Sequence, residues 1–159
     1  MARTMPFVDA PVMHLIVQLF AATALVAVTC AMHLFGIGGL MLLLRRHRKG
    51  AGEAELIRQA LTIGAAATGL LLLHAKEIWL YAGFYIVVHA LPGLETALYF
   101  STASYTTVGY GDVVLGPGWR VVGAIESANG IILLGWSTAF FVAIVGRIRW
   151  LEAEIEAAR

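Results

Sequence analysis

Three stretches of this chain are too long and too apolar for a water-soluble fold. They run over about residues 11–44, 57–90 and 119–145, with few charges inside them. A helix needs ~20 apolar residues to cross ~30 Å of hydrocarbon, so each stretch is expected to span a bilayer once. The first two are longer than needed and are expected to tilt or reach into the headgroups. A fourth apolar stretch, 94–105, is too short to cross and reads as a buried re-entrant helix, because backbone in lipid must be satisfied internally or line water. Composition agrees: of 159 residues, 60% are hydrophobic and 13% charged, against about 25% charged in a soluble domain. That excludes a disordered chain, and a net charge of +1 excludes a basic nucleic-acid binder. Cys30 is the one cysteine, so no intrachain disulfide forms, and no Cys/His spacing resembles a zinc site. No hydrolase, kinase, Rossmann or P-loop pattern points to an enzyme.

The basic residues give an orientation. Arg45, Arg46, Arg48, Lys49 and Arg58 lie between the first two spans, and Arg147, Arg149 and Arg159 follow the third. Arg3 stands alone before the first span, and Arg120 sits at the edge of the loop 91–118. The positive-inside rule places the first loop and the C-terminus in the cytoplasm, with the N-terminus and the loop 91–118 outside. The first stretch runs unbroken into its basic cluster, which is a stop-transfer pattern rather than a cleavage site. The tail 147–159 carries Ile148, Leu151 and Ile155 at helical spacing, so it either continues the third span as a short amphipathic helix or frays in solvent. Trp119 and Trp150 suit interfacial anchors, while mid-span Trp136 suits packing against a neighbouring helix.

The outward loop holds Thr106-Thr107-Val108-Gly109-Tyr110-Gly111-Asp112. Gly109 and Gly111 alternate with larger residues, and glycine readily takes a positive φ. Alternating handedness turns successive carbonyls the same way, and four such loops around an axis make rings of oxygens that replace the hydration shell of a cation. With its short preceding helix and flanking spans, this string closely resembles the pore domain of the potassium-channel superfamily, over about residues 57–149. The first span has no counterpart there and reads as an added helix.

The resemblance implies an all-α integral membrane protein with three transmembrane helices, a re-entrant pore helix and a selectivity-filter loop, assembled as a homotetramer. Its domains would be an N-terminal helix with basic loop (1–50), a pore domain (51–149) and a short cytoplasmic tail (150–159). K⁺ would be bound by the carbonyls of Thr107, Val108, Gly109 and Tyr110 and the Thr107 hydroxyl, with Gly111 completing the filter and Tyr99, Thr106 and Asp112 supporting it. Two departures stand out. Ala103 occupies a position where some members carry a pore-helix carboxylate, and Tyr99 stands in place of a tryptophan, its hydroxyl able to donate to Asp112. In the third span, Ile131, Leu134 and Thr138 would line a cavity, Phe141 would form a constriction, and Gly130 and Gly135 are either hinge glycines or close-packing ones.

The implied activity is passive, potassium-selective conduction in the cell (plasma or inner) membrane, with K⁺, lipid and three further copies of the chain as partners and no cofactor. Alternatives are a weakly selective cation channel, a non-conducting subunit, and a proton-coupled transporter using buried His and Glu residues. No series of arginines at every third position suggests voltage sensing.

Ionisable residues inside the spans are costly and usually face the bundle interior. His74, Lys76, Glu77 and Glu126 are read as an intramembrane polar network, serving either proton sensing or helix locking. His74 and Glu77 are three apart and share a helical face. His14, His33 and His89 are read as uninformative, two of them near membrane interfaces.

Overall fold

A computed structural model of the chain describes the backbone of residues 9–45 and 53–157, and the side chains of residues 12–43 and 57–146. Among the described residues four helices form: α1 (Asp9–Arg45), α2 (Glu53–Val87), α3 (Gly93–Tyr105) and α4 (Arg120–Ala157). Three are long and apolar enough to cross a membrane, over Val12–Leu43, Ile57–Val87 and Arg120–Gly146. The chain is thus a membrane protein of the expected helical class. Arg3, Arg46, Arg48, Lys49 and Arg159, used above for orientation, lie outside the described residues, as do the side chains of Arg45, Arg147, Arg149 and Trp150. Backbone helix continues through the tail to Ala157.

Helix α2 ends three residues before the apolar run does. His89 takes φ 54°, its N–H reaches the Ile86 carbonyl at 3.0 Å, and the Ala90 N–H reaches the Tyr85 carbonyl at 2.8 Å. This is the Schellman arrangement, with histidine in the left-handed position that glycine usually fills. Helix α3 then starts behind Pro92, whose φ of −82° suits helix entry, and Gly93 at φ 80°.

The chain divides into two compact units, each drawing on α1, α2 and α4. The first comprises Met1–Thr29 and Ile78–Ile131 and contains α3. Its described core is built on Ala22, Tyr81, Ala82, Tyr85, Ala97, Tyr105 and Val122, all fully buried. Gln18 ties α1 to the start of α4: its Oε1 accepts from the Val121 N–H at 3.1 Å, and its Nε2 donates to the Pro117 carbonyl at 3.5 Å. The Val121 N–H belongs to the first helical turn and has no intrahelical acceptor, so a side chain on another helix serves as its cap.

The second unit comprises Cys30–Glu77 and Ile132–Arg159. Here α1 and α2 meet through reciprocal small–large contacts, Leu73 filling the space over Gly36 and Leu40 that over Gly69. Lipid-immersed helices gain little from burying apolar groups against one another, so close approach over glycines is what holds them together. Its described core adds Ala66, Leu70 and Leu133 to the polar residues His33, His74, Glu77 and Ser137.

Candidate functional site

In the first unit, α3 delivers the chain into the loop 106–112. The helix end is satisfied locally: the Thr106 N–H and hydroxyl both reach the Thr102 carbonyl, at 3.1 and 2.7 Å, and the Thr107 N–H reaches that of Ser104 at 3.0 Å. Beyond it, the backbone turns left-handed at every second residue, with φ 61° at Thr107, 52° at Gly109 and 79° at Gly111. The two glycines take this conformation freely. Thr107 does not: a β-branched residue at positive φ is an outlier, and such strain costs on the order of 1–3 kcal/mol and clusters at functional sites.

The loop is exposed, Val108 by 53% and Tyr110 by 73%. Tyr99 supports it from α3 in two ways. Its hydroxyl donates to Asp112 Oδ2 at 2.7 Å, and its ring stacks on that of Tyr110 with centroids 6.5 Å apart and planes 12° from parallel. Asp112 also accepts from the Val113 N–H at 3.1 Å. The Tyr99 bond, before all else, holds the Asp112 carboxyl below the usual carboxylate range, with partial desolvation opposing it. The same bond lifts Tyr99 above its ordinary value, desolvation adding to the effect.

Residues 71–147, from mid-α2 through the loop and most of α4, match the family model described as "Ion channel". Over this segment the chain is similar to that family. No curated protein and no solved structure matches the chain.

The other expected channel residues fall on α4. Gly130 is buried against the backbone carbonyl of Tyr105 at the end of α3, where a Cβ would collide. Of its two readings, close packing is the one this contact supports. Gly135 has nothing near the site of a Cβ. Ile131 and Thr138 are exposed, while Leu134 and Phe141 are partly covered.

The expected grouping of His74, Lys76, Glu77 and Glu126 needs correction, because the structure builds two clusters with other members. In the first unit Glu126, fully buried, accepts from the Tyr85 hydroxyl at 2.6 Å and bonds Ser101 Oγ, which also faces the Ile78 carbonyl at 3.0 Å. Asn129 donates to Thr29 Oγ1 at 2.8 Å and to the Tyr81 hydroxyl at 3.2 Å. In the second unit Glu77 bonds both His33, at 2.9 Å, and His74, at 3.2 Å. Lys76 is exposed and joins neither cluster. His33, read from sequence as uninformative, is fully buried and central.

One signal for these partners was available. Glu77, Tyr81 and Tyr85 recur every four residues on α2, and Glu126, Gly130, Leu133 and Ser137 follow helical spacing on α4. Such stripes mark the faces that helices turn toward protein rather than lipid. They do not say which polar groups meet.

Proposed function

We propose that this protein is a potassium-selective ion channel, and that four copies of the loop 107–111 surround its conduction path. The alternation of positive φ at Thr107, Gly109 and Gly111 carries the reading. Residues of alternating hand send successive carbonyls to one side of the chain, which a stack of oxygen rings requires. The strained Thr107 adds weight, since the alternation includes a residue that would avoid it without an opposing benefit. One chain supplies one loop, so closure around an axis requires a homotetramer. The exposed, apolar Ile132 and Val142 on α4 fit burial between copies or against lipid.

In this reading K⁺ sheds water into sites made by the carbonyls of Thr107, Val108, Gly109 and Tyr110 and the Thr107 hydroxyl. Asp112, Tyr99 and Thr106 brace the loop from behind. Helix α3 carries the negative end of its dipole at Tyr105, which favours a cation beneath the filter. Ile131, Leu134 and Thr138 line the cavity, and Phe141 narrows its far end. The pore domain spans 51–149, with the helix of 1–50 added outside it and the loop 91–118 on the outer face of the cell membrane.

Flux through liposomes containing the purified protein tests this, with a proton ionophore present and Ba²⁺ as blocker. The expected result is K⁺-driven, Ba²⁺-sensitive flux that Na⁺ does not support, lost or made unselective by Gly109→Ala. Equal K⁺ and Na⁺ flux would assign a weakly selective cation channel instead. Saturable, proton-driven transport abolished by Glu77→Gln would assign a carrier.

A further inference from the structure

The second unit contains a closed ring of four side chains from three helices. Glu77 Oε1 meets His33 Nδ1 at 2.9 Å, and Glu77 Oε2 meets His74 Nδ1 at 3.2 Å. The outer nitrogens of both imidazoles then converge on one hydroxyl: His74 Nε2 lies 2.8 Å and His33 Nε2 3.4 Å from Ser137 Oγ. Thus α1, α2 and α4 are joined through four hydrogen-bonding edges. His33 and Glu77 are fully buried, and His74 and Ser137 are 8% and 6% exposed.

Each edge needs one hydrogen. Ser137 supplies one, each neutral imidazole supplies one, and an ionised carboxylate supplies none. That gives three hydrogens for four edges, a net charge of −1, and one edge where two lone pairs face each other. Both faults are costly away from water. One added proton removes them together, filling the fourth edge and making the ring neutral.

We propose that this ring is a proton-binding site that holds one proton beyond the complement of ionised Glu77 and two neutral histidines. The proton is shared around the ring, between the Glu77 carboxyl and the two imidazoles. Trp136 lies beside the ring, its centroid 6.0 Å from that of His33 and the two planes tilted by 55°. When the proton leaves, the weakest edge opens, Ser137 to His33 at 3.4 Å, and α4 loses this one of its bonds to α1.

Among described side chains of this unit, the other titratable residues are Cys30, Arg58 and Lys76. Cys30 precedes His33 by one turn of α1, and Lys76 is exposed beside Glu77. Arg58 lies sixteen residues before His74 on α2, roughly 24 Å along a straight helix. From α4 the ring is faced by Ser137 and Trp136 and by no charged group among the described residues. The potential ligand atoms of His33, His74 and Glu77 all lie within 4.8 Å of one another, close enough for a metal ion to be the competing occupant.

The test compares the full-length chain with Glu77→Gln. The amide supplies its own hydrogen, so it closes all four edges with both histidines neutral, and the variant keeps its ring and fold. Both proteins, purified in detergent, are titrated potentiometrically from neutral pH into alkaline denaturant, so that every other group cancels in the difference. The native chain is expected to release one proton more per molecule than Glu77→Gln. Equal release would overturn the proposal. So would elemental analysis finding one equivalent of zinc that His33→Gln removes. Neither readout depends on ion flux, so failure of the potassium-channel reading leaves this one standing, and the reverse.

Discussion

Gly130 of α4 lies directly against the backbone carbonyl of Tyr105, at the end of the helix that leads into the loop 106–112. The obstacle is backbone rather than the flexible end of a side chain, so an added methyl group has nowhere to go. Gly130→Ala is therefore expected to push α4 from α3, costing about 1–3 kcal/mol as overpacking does. Gly135→Ala meets open space and is expected to be neutral or stabilising by up to about 1 kcal/mol through helix propensity. Thermal unfolding of the two variants in detergent checks the contrast. Equal effects would show that the Tyr105 contact does not constrain the helix.

The Tyr99–Asp112 bond makes the support of the loop dependent on pH in both directions. Asp112 is held below its usual 3.8 chiefly by the Tyr99 hydroxyl. Its contribution is present above the unfolded value and is lost as pH falls through the lower folded value. Tyr99 is raised above its usual 10.0, so its contribution is present below that value and is lost as pH rises through the higher folded one. Tyr99→Phe is expected to return Asp112 toward its usual value, read by carboxyl ¹³C NMR titration. An unmoved Asp112 titration would mean that the hydroxyl is not its principal partner.

Ser101 has one hydroxyl hydrogen and two acceptors in reach, Glu126 and the Ile78 carbonyl. Tyr85 donates to the other oxygen of Glu126. A side chain that donates toward Ser101 and accepts from Tyr85 satisfies the whole cluster, and the amide of glutamine does both. Glu126→Gln is expected to leave stability within about 1 kcal/mol of the native chain, whereas Glu126→Ala takes the acceptor from the buried Tyr85 hydroxyl at about 1–3 kcal/mol, Ser101 keeping the Ile78 carbonyl. Chemical denaturation of the two variants separates these outcomes, and a Glu126→Gln loss as large as that of Glu126→Ala would refute the assignment.

His89 holds a left-handed conformation at the end of α2 that glycine adopts without penalty. His89→Gly is expected to raise stability by about 1 kcal/mol, the approximate cost of placing an L-residue there. A drop in melting temperature would mean that the imidazole makes a contact worth more than the strain.

The sequence by itself determined the spans, the short helix between them and the loop string. Each is local: hydropathy over ~20 residues sets a span, and alternating glycines set backbone handedness. Even so, Thr107 joins that alternation at φ 61° although its β-branched side chain disfavours it, so the fold and not the residue chose its conformation. The polar clusters were legible only in part. His74 and Glu77 share a helical face and were paired correctly from spacing, because i, i+3 neighbours meet on any helix. Their partners His33 and Ser137 lie 44 and 63 residues away in the pairs they form with Glu77 and His74. Glu126 likewise went to Tyr85 and Ser101 rather than to His74, Lys76 and Glu77. Periodicity reports which face a residue occupies, but not which helix that face meets or at what height. Tertiary packing decided those, because a buried polar group in an apolar bundle must find a partner wherever the helices bring one.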